Sequence, residues 1–438
     1  MLRFVGCDVH KRMAVFTILL EDGKVQATHT VTVTREALSR FAKLHLGSED
    51  RLAMEATTNT WAVAEVLRPH VQEIVIGNPL RTRAIAEAKI KTDKVDSRVL
   101  AELLRADYLP SVWQPGPETQ RLRRLTHRRA ALVSDRTRLK NRLHSILHHG
   151  LIPLPECDLF SQKGRVWLKE LSLPEDEAAA RDSDLRLLEL TEQEIMLAEQ
   201  QLVGQAWQDE KVRLLMSIPG IDYTVAQTCL AAIGDVTRFA NPKKLTSYLG
   251  LNPSTRQSAQ HCVHGPITKQ GNAHARWLLV QAAQHLGSYR GPLGQTMRSL
   301  IRRKNRKVAV VACARKLAVL VWHVLTSGEP FRYAPPKTLA AKFARLRVRA
   351  TGKRRRGGVA KGSSRSPQYG QGRTRVVPAL PQLLEQNGLP AVAPLARGER
   401  NMLARKKLDR FYLELQTPSR VPTPKSAGPN NNIKATDY

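Results

Sequence analysis

Four carboxylates stand out in the first hundred residues. Asp8 lies near the end of an apolar run, Leu2 to Val9, and Glu55 closes a second short run from Arg51. Asp93 and Asp96 follow in KTDKVDSRVL, three residues apart, a spacing that puts both on one face of a helix. Four acids brought together repel one another unless a divalent cation neutralises them, and hard oxygen ligands suit Mg2+ or Mn2+. Such ions activate a nucleophile and stabilise a leaving oxygen on phosphate. The competing reading is a solvated helix on which Asp93 and Asp96 pair with Lys91, Lys94 or Arg98. Cys7 reads as a small core residue, and His10 as a neighbour flanking the acids.

A second set of residues lies between 216 and 276. Met216-Ser217-Ile218-Pro219-Gly220-Ile221 precedes a helical run, Val225 to Ile233. An apolar-Pro-Gly-apolar turn of this kind resembles a helix-hairpin-helix element, in which backbone N–H groups around Gly220 face phosphate without reading sequence. Asp222 stands where that element usually has a second Gly, so a plain packing corner is the alternative. Further on, Ser258 follows Arg256, with Lys269 and Arg276 beyond. A hydroxyl flanked by these three cations is equipped to attack phosphorus while they stabilise the developing charge. His261-Cys262-Val263-His264 has no second ligand pair at a spacing that suits zinc.

These residues need elements to hold them. Residues 1–110 alternate strands and helices: Ala14 to Leu20 and Val25 to Val33 read as a hairpin about Glu21-Asp22-Gly23. Glu73 to Ile76 reads as another strand, and 81–106 as a helix. An α/β domain is the natural reading. Residues 111–208 read as long helices with leucines on an a/d pattern, a coiled-coil linker and oligomerisation region. Arg129 and Arg136 at a positions would face a polyanion or a partner helix. Arg121, Arg124 and Arg128 belong to a stretch with nine basic residues and one Asp between 121 and 142, a candidate nucleic-acid face. Residues 209–330 read as compact and helix-rich. Residues 331–438 carry 23 basic and 5 acidic residues, and with TGKRRRGGVAKGSSRSPQYGQGRTR they read as a basic, disordered tail.

Across 438 residues, 70 Lys and Arg face 38 Asp and Glu, a formal net charge of +32. That balance argues against an ordinary small-metabolite enzyme and for a polyanionic partner, nucleic acid first. Aromatics are only 5%, so base-stacking platforms are few. Five Cys without a CxxC pair fit a reducing compartment, and the expected location is the cytoplasm, on the bacterial-type nucleoid. The most apolar window, Val308 to Leu325, contains Arg315, Lys316 and His323. It reads as a buried helix, and no membrane partner is expected.

Taken together, GCDVHK, LAMEAT, KTDKVDSRVLAELL, SIPGI, IGDVTRFANPKKLTSYLGLNPS, RQS and ITKQGNAHARWLLVQAA resemble the DEDD-type insertion-sequence transposases of family one-ten, the bridge-RNA-guided recombinases. The pieces occur in the family's order over about residues 3–325. The resemblance implies a ribonuclease-H/resolvase-like domain in which Asp8, Glu55, Asp93 and Asp96 bind Mg2+ (or Mn2+). It implies a helix-rich C-terminal transposase domain in which Ser258 forms a phosphoserine link to DNA. It also implies a homo-oligomer, dimer or tetramer, acting on double-stranded DNA at element ends and target, with a structured guide RNA. The family usually has Gly after the nucleophilic Ser, whereas Ala259 stands here. Two other functions stay open at this point: a resolvase-like junction nuclease without a covalent intermediate, and a non-catalytic nucleic-acid-binding protein.

Overall fold

In the computed structural model, which describes residues 2–85, 92–258, 261–352 and 374–422, the first strand is the centre of a five-stranded sheet. The chain divides into two units, Met1–Gly116 and Pro117–Tyr438. In the first, β1 (Arg3–Val9), β2 (Met13–Leu20), β3 (Val25–Thr32), β4 (Arg51–Glu55) and β5 (Glu73–Gly77) lie in the order β3-β2-β1-β4-β5. The β1–β2 and β2–β3 pairs are antiparallel, the second being the hairpin that the sequence suggests, while β1–β4 and β4–β5 are parallel. This mixed α/β architecture is consistent with a ribonuclease-H-like domain.

Side-chain alternation sorts β1 between two layers. Val5, Cys7 and Val9 face a core built with Leu38, Phe41 and Ala42 of α1 (Arg35–His45) and Val63, Ala64 and Leu67 of α2 (Thr60–Leu67). Phe4 faces the other way, with Leu19 and Ala53, against Leu100, Ala101 and Leu104 of α4 (Asp93–Arg105). Cys7 is fully buried, as a small core residue should be. The helix expected over 81–106 is not continuous: α3 (Pro79–Ile85) precedes it, and α4 begins afresh at Asp93. Thr92 is extended, and its side chain accepts from Val95 N, so it caps α4 and sets the start of the helix at the first acid.

The second unit is helical. α5 (Pro117–His149), α6 (Gln162–Glu170) and α7 (Glu175–Gln208) come first, with α5 and α7 running antiparallel. Leu139, Leu143 and Leu147 meet Leu185 and Leu188. Ion pairs cross between the two long helices, Arg128–Glu194 at 2.9 Å, Arg129–Glu199 at 2.6 Å and Arg142–Asp184 at 2.7 Å. α8 (Glu210–Met216), α9 (Tyr223–Ile233) and α10 (Pro242–Tyr248) lead into a hairpin, β6 (Pro253–Ser258) and β7 (His261–Ile267). α11 (Ala273–Gln284), α12 (Pro292–Arg303) and α13 (Arg306–Ser327) follow. α13 is long and apolar enough to cross a membrane by length and composition. Its Ala309, Cys313, Leu317 and Val321 nevertheless recur at four-residue spacing in the largest core.

Past residue 331 the structure departs from the expected basic tail. α14 (Pro336–Thr351), α15 (Leu380–Glu385), α16 (Arg397–Arg405) and α17 (Asp409–Gln416) are helices, and β8 (Thr374–Val377) pairs with β9 (Ser419–Pro422). Leu339, Phe343, Leu346, Leu380, Leu384, Leu403 and Leu415 join the same core as α9 and α13. The net charge hid a helical apolar spacing, 339, 343 and 346, on one face of α14. The KRRR-rich stretch that prompted the tail reading, 353–373, lies outside the described residues.

Candidate metal centre and hydroxyl hairpin

The two-residue period of β1 puts Phe4, Gly6 and Asp8 on the face that α4 covers. Gly6 is where the helix comes closest: a Cβ there would lie 1.8 Å from the Ser97 carbonyl oxygen. On the neighbouring strand, opposite Gly6, Thr17 Oγ1 meets the Ser97 hydroxyl at 2.7 Å in the buried interior. With α4 seated in this way, its first residue, Asp93, comes up beside the end of β1.

Asp8, His10 and Asp93 form a group whose ligand atoms all lie within 4.8 Å of one another. His10 Nε2 is 3.1 Å from Asp8 Oδ2 and 3.1 Å from Asp93 Oδ1. The Asp8 side chain is only 16% exposed, against 57% for Asp93. Burial holds the Asp8 carboxyl above the usual carboxylate range; Asp96 and Asp93 push it the same way, and His10 pulls against them. His10 in turn is raised, above all by Asp8. Asp96, one turn into α4, therefore acts on Asp8 electrostatically without belonging to the close group. Glu55 ends β4, one step past the Cys7–Met54 pairing, and alternation places it on the α4 face with Ala53. Its carboxylate is not in the close group either.

The competing picture, with Asp93 and Asp96 held by lysines on a solvated helix, does not describe Asp93, whose carboxylate pairs with His10. From sequence, His10 only flanks the acids. Its signal is its position two residues after Asp8, just past the end of β1. The two carboxylates, with two further acids on the same side of the sheet, suit a divalent cation, and His10 lies within hydrogen-bond reach of both.

In the second unit the expected phosphate turn is a packed corner. Gly220 has φ +84°, and a Cβ there would lie 2.5 Å from the Ala282 carbonyl of α11. Asp222 caps α9 by accepting from Val225 N, which accounts for an acid where a Gly was expected. Beneath the turn, buried Lys342 of α14 donates to the carbonyls of Met216, Ile218 and Ile221 at 2.7–2.8 Å. The Ser217 hydroxyl accepts from Phe331 N at 2.7 Å.

Ser258 is exposed at the tip of the β6–β7 hairpin, opposite His261, and Arg256 is exposed two residues earlier, opposite Val263. The other two cations of the expected group are elsewhere. Pro253 pairs with Ile267 at the hairpin base, about 17 Å from Ser258 at ~3.4 Å per residue. Lys269 and Arg276 lie beyond that base. Arg276 Nη1 donates to the Leu249 carbonyl at 3.0 Å. Lys269 is exposed with φ +55°, and its N–H donates to the Gly250 carbonyl. These two residues therefore build the mount of the hairpin rather than surround the hydroxyl. Gly271, at φ +113°, belongs to the same mount: a Cβ there would lie 2.0 Å from the Tyr248 carbonyl. Ala259 lies outside the described residues.

On α5, Arg124 is exposed, Arg121 faces the Gln205 side-chain oxygen of α7 at 2.6 Å, and Arg128 pairs with Glu194. Arg129 Nε and Nη2 both bind Glu199, so this a-position arginine faces the partner helix.

Comparison with known proteins now places the chain. Residues 5–151 match a transposase family model, the DEDD transposase of IS110, and residues 212–297 match the transposase model of the IS116/IS110/IS902 family. A transposase for insertion sequence element IS1111A from Coxiella burnetii is 25% identical over 345 residues, covering 76% of this chain and 92% of that one. A transposase for insertion sequence element IS1328 from Yersinia enterocolitica is 26% identical, covering 64% and 85%. A pilin gene-inverting protein from Moraxella bovis is 27% identical, covering 64% and 81%. The first model spans Asp8, His10, Glu55, Asp93 and Asp96, and the second spans Ser258 and its hairpin mount, in the same order along the chain. The chain belongs to the IS116/IS110/IS902 family of insertion-sequence transposases and is a DNA transposase.

Proposed function

We propose that the chain cleaves and exchanges strands of its own insertion sequence with a metal centre in the first unit and Ser258 in the second. The observation that carries this reading is the close group of Asp8, His10 and Asp93 at the end of β1. Asp8 and Asp93 would hold Mg2+ or Mn2+, with Glu55 and Asp96 completing the acidic set and His10 orienting the two carboxylates. The ion would neutralise charge that develops on a phosphodiester. Ser258, exposed on the β6–β7 hairpin, would be open to a large substrate. Its Oγ would attack phosphorus, forming a phosphoserine bond as the bond to the departing DNA oxygen breaks, and that oxygen would take up a proton. Arg256, two residues away on the same strand face, would stand near the charge that develops.

In the same reading a structured RNA from the element's flank chooses the DNA by base pairing. The paired helices α5 and α7 assemble a dimer or tetramer, and the protein works on the nucleoid in the cytoplasm. Residues 1–110 would supply the metal centre, 111–208 the assembly helices and 209–330 the nucleophile. The experiment incubates the protein with Mg2+, flank RNA and donor DNA. A denaturant-resistant protein–DNA adduct is expected from wild type and not from Ser258→Ala. Cleavage by both proteins without an adduct would replace the serine mechanism with metal-assisted hydrolysis.

A further inference from the structure

A pocket of about 610 Å³ on the second unit carries charge that the reading above does not use. α12 lines it with Arg298, Arg302 and Arg303, interleaved with the Thr296 and Ser299 hydroxyls and the Gln295 amide. Positions 295, 298, 299 and 302 fall on one helical face, and 296, 299 and 303 beside it. Lys406, after α16, closes the pocket from the C-terminal segment. Among the described residues that line it there is no carboxylate.

The walls are fixed. Gln295 Nε2 donates to the Lys406 carbonyl at 2.9 Å, tying the C-terminal segment to α12. Arg298 Nη1 donates to the Gly287 and Tyr289 carbonyls at 2.8 and 3.0 Å, which holds its guanidinium in place. Burial lowers the Lys406 ammonium from its ordinary value, and Lys316 and Arg405 lower it further. An anion in the pocket would relieve that repulsion.

We infer that this pocket binds the phosphodiester backbone of a nucleic acid. Guanidinium forks match phosphate oxygens in pairs, and the Ser299 hydroxyl adds a contact that selects no base, while Thr296 Oγ1 donates to the Pro292 carbonyl and Gln295 to that of Lys406. A lone orthophosphate would touch only part of so wide a space, whereas a run of backbone reaches all three arginines and Lys406. Arg298, Arg302, Arg303 and Lys406 all lie beyond the matched transposase region, which ends at residue 297. The inference rests on the nucleic-acid activity proposed above.

The test measures full-length protein binding to a DNA duplex and, separately, to a structured RNA, each over a range of salt. The variants are Arg302→Gln with Arg303→Gln, and Lys406→Gln alone. A control neutralises two exposed cations of the first unit, Lys24→Gln with Arg35→Gln. The expected result is a drop in affinity of about tenfold for the double variant, with the salt slope shallower by roughly 0.9 per lost contact on duplex DNA or 0.7 on a single strand. Lys406→Gln should move the same way by less, and the control pair by less than twofold. A drop confined to one probe identifies DNA or RNA as the ligand. Pocket variants that bind both probes like the control, while wild type binds normally, overturn the inference and leave the transposase reading standing. Unchanged nucleic-acid binding with lost thermal stabilisation by pyrophosphate would also overturn it, in favour of a free anion. A wild type that binds neither probe would sink both.

Discussion

The Gly6 backbone and the Ser97 carbonyl are so close that a single added carbon at Gly6 would sit 1.8 Å from that oxygen. This contact sets the height of α4 over β1, and so places Asp93 beside Asp8. Gly6→Ala must push the helix outward. Overpacking of this kind costs about 1–3 kcal/mol. The expected outcome is a lower urea midpoint together with strand cleavage reduced further than stability alone explains. Thr17→Val, which removes the buried Thr17–Ser97 bond without adding bulk there, should cost only about 1 kcal/mol and spare cleavage. Equal activity in the two variants at matched stability would show that helix height does not matter.

Asp8 is strained by its own site. Burial and the neighbouring Asp96 and Asp93 disfavour its charge, and only His10 favours it. Asp8→Asn is therefore expected to raise the unfolding midpoint of the metal-free protein while abolishing cleavage. Wild type should gain stability from Mg2+ or Mn2+, by about 2.7 kcal/mol at a hundred times the dissociation constant. The variant should gain far less. A chelator should return wild type to its metal-free midpoint. If Asp8→Asn instead loses stability and still responds to metal, the carboxylate is structural.

The hairpin mount offers a separate test. Gly271 needs φ +113° and lies against the Tyr248 carbonyl, so Gly271→Ala should disturb the base of β6–β7 without touching Ser258. Adduct formation should fall at least tenfold, while metal-induced stabilisation of the first unit stays intact. Unaltered adduct yield would mean that the hairpin's attachment does not position the hydroxyl.

Much of this site was legible because strand and helix periods are local. Asp8 near the end of an apolar run and Asp93 three before Asp96 are readable without any tertiary knowledge, and the structure brings Asp8 and Asp93 together. His10 is not legible in the same way, because a histidine two residues past an acid says nothing until a second acid, 83 positions later, arrives beside it. The cations misled in the opposite direction. Arg123, Arg238, Arg276 and Lys342 all bond backbone carbonyls inside the second unit, so part of the basic charge is structural. Asp50, 1% exposed and bound by both Arg3 Nε and Nη2, is an acid with a purely architectural place that spacing could not separate from the others. Composition hides the C-terminal helices because it averages over α14, whose three core residues are surrounded by lysines and arginines.

Lys342 ties that C-terminal region to the Gly220 turn, and its charge state gives the tie a pH dependence. Burial lowers its ammonium from 10.5 to about 7, with Asp222 opposing the shift. Between those two values the unfolded chain still carries the proton and the folded chain has released it. The unfolded state then binds more protons, so this residue makes stability rise with pH from about 7 toward 10.5; below about 7 both states are protonated and the dependence disappears. Lys342→Met removes the dependence and leaves the Met216, Ile218 and Ile221 carbonyls without their donor, at a cost of about 2 kcal/mol. Urea unfolding of the second unit at pH 6.5 and pH 9 checks both points. Wild type should gain stability between the two values more than the variant does. Identical slopes would mean that the three carbonyls hold Lys342 protonated through the whole range, and that the turn is clamped by a permanent charge.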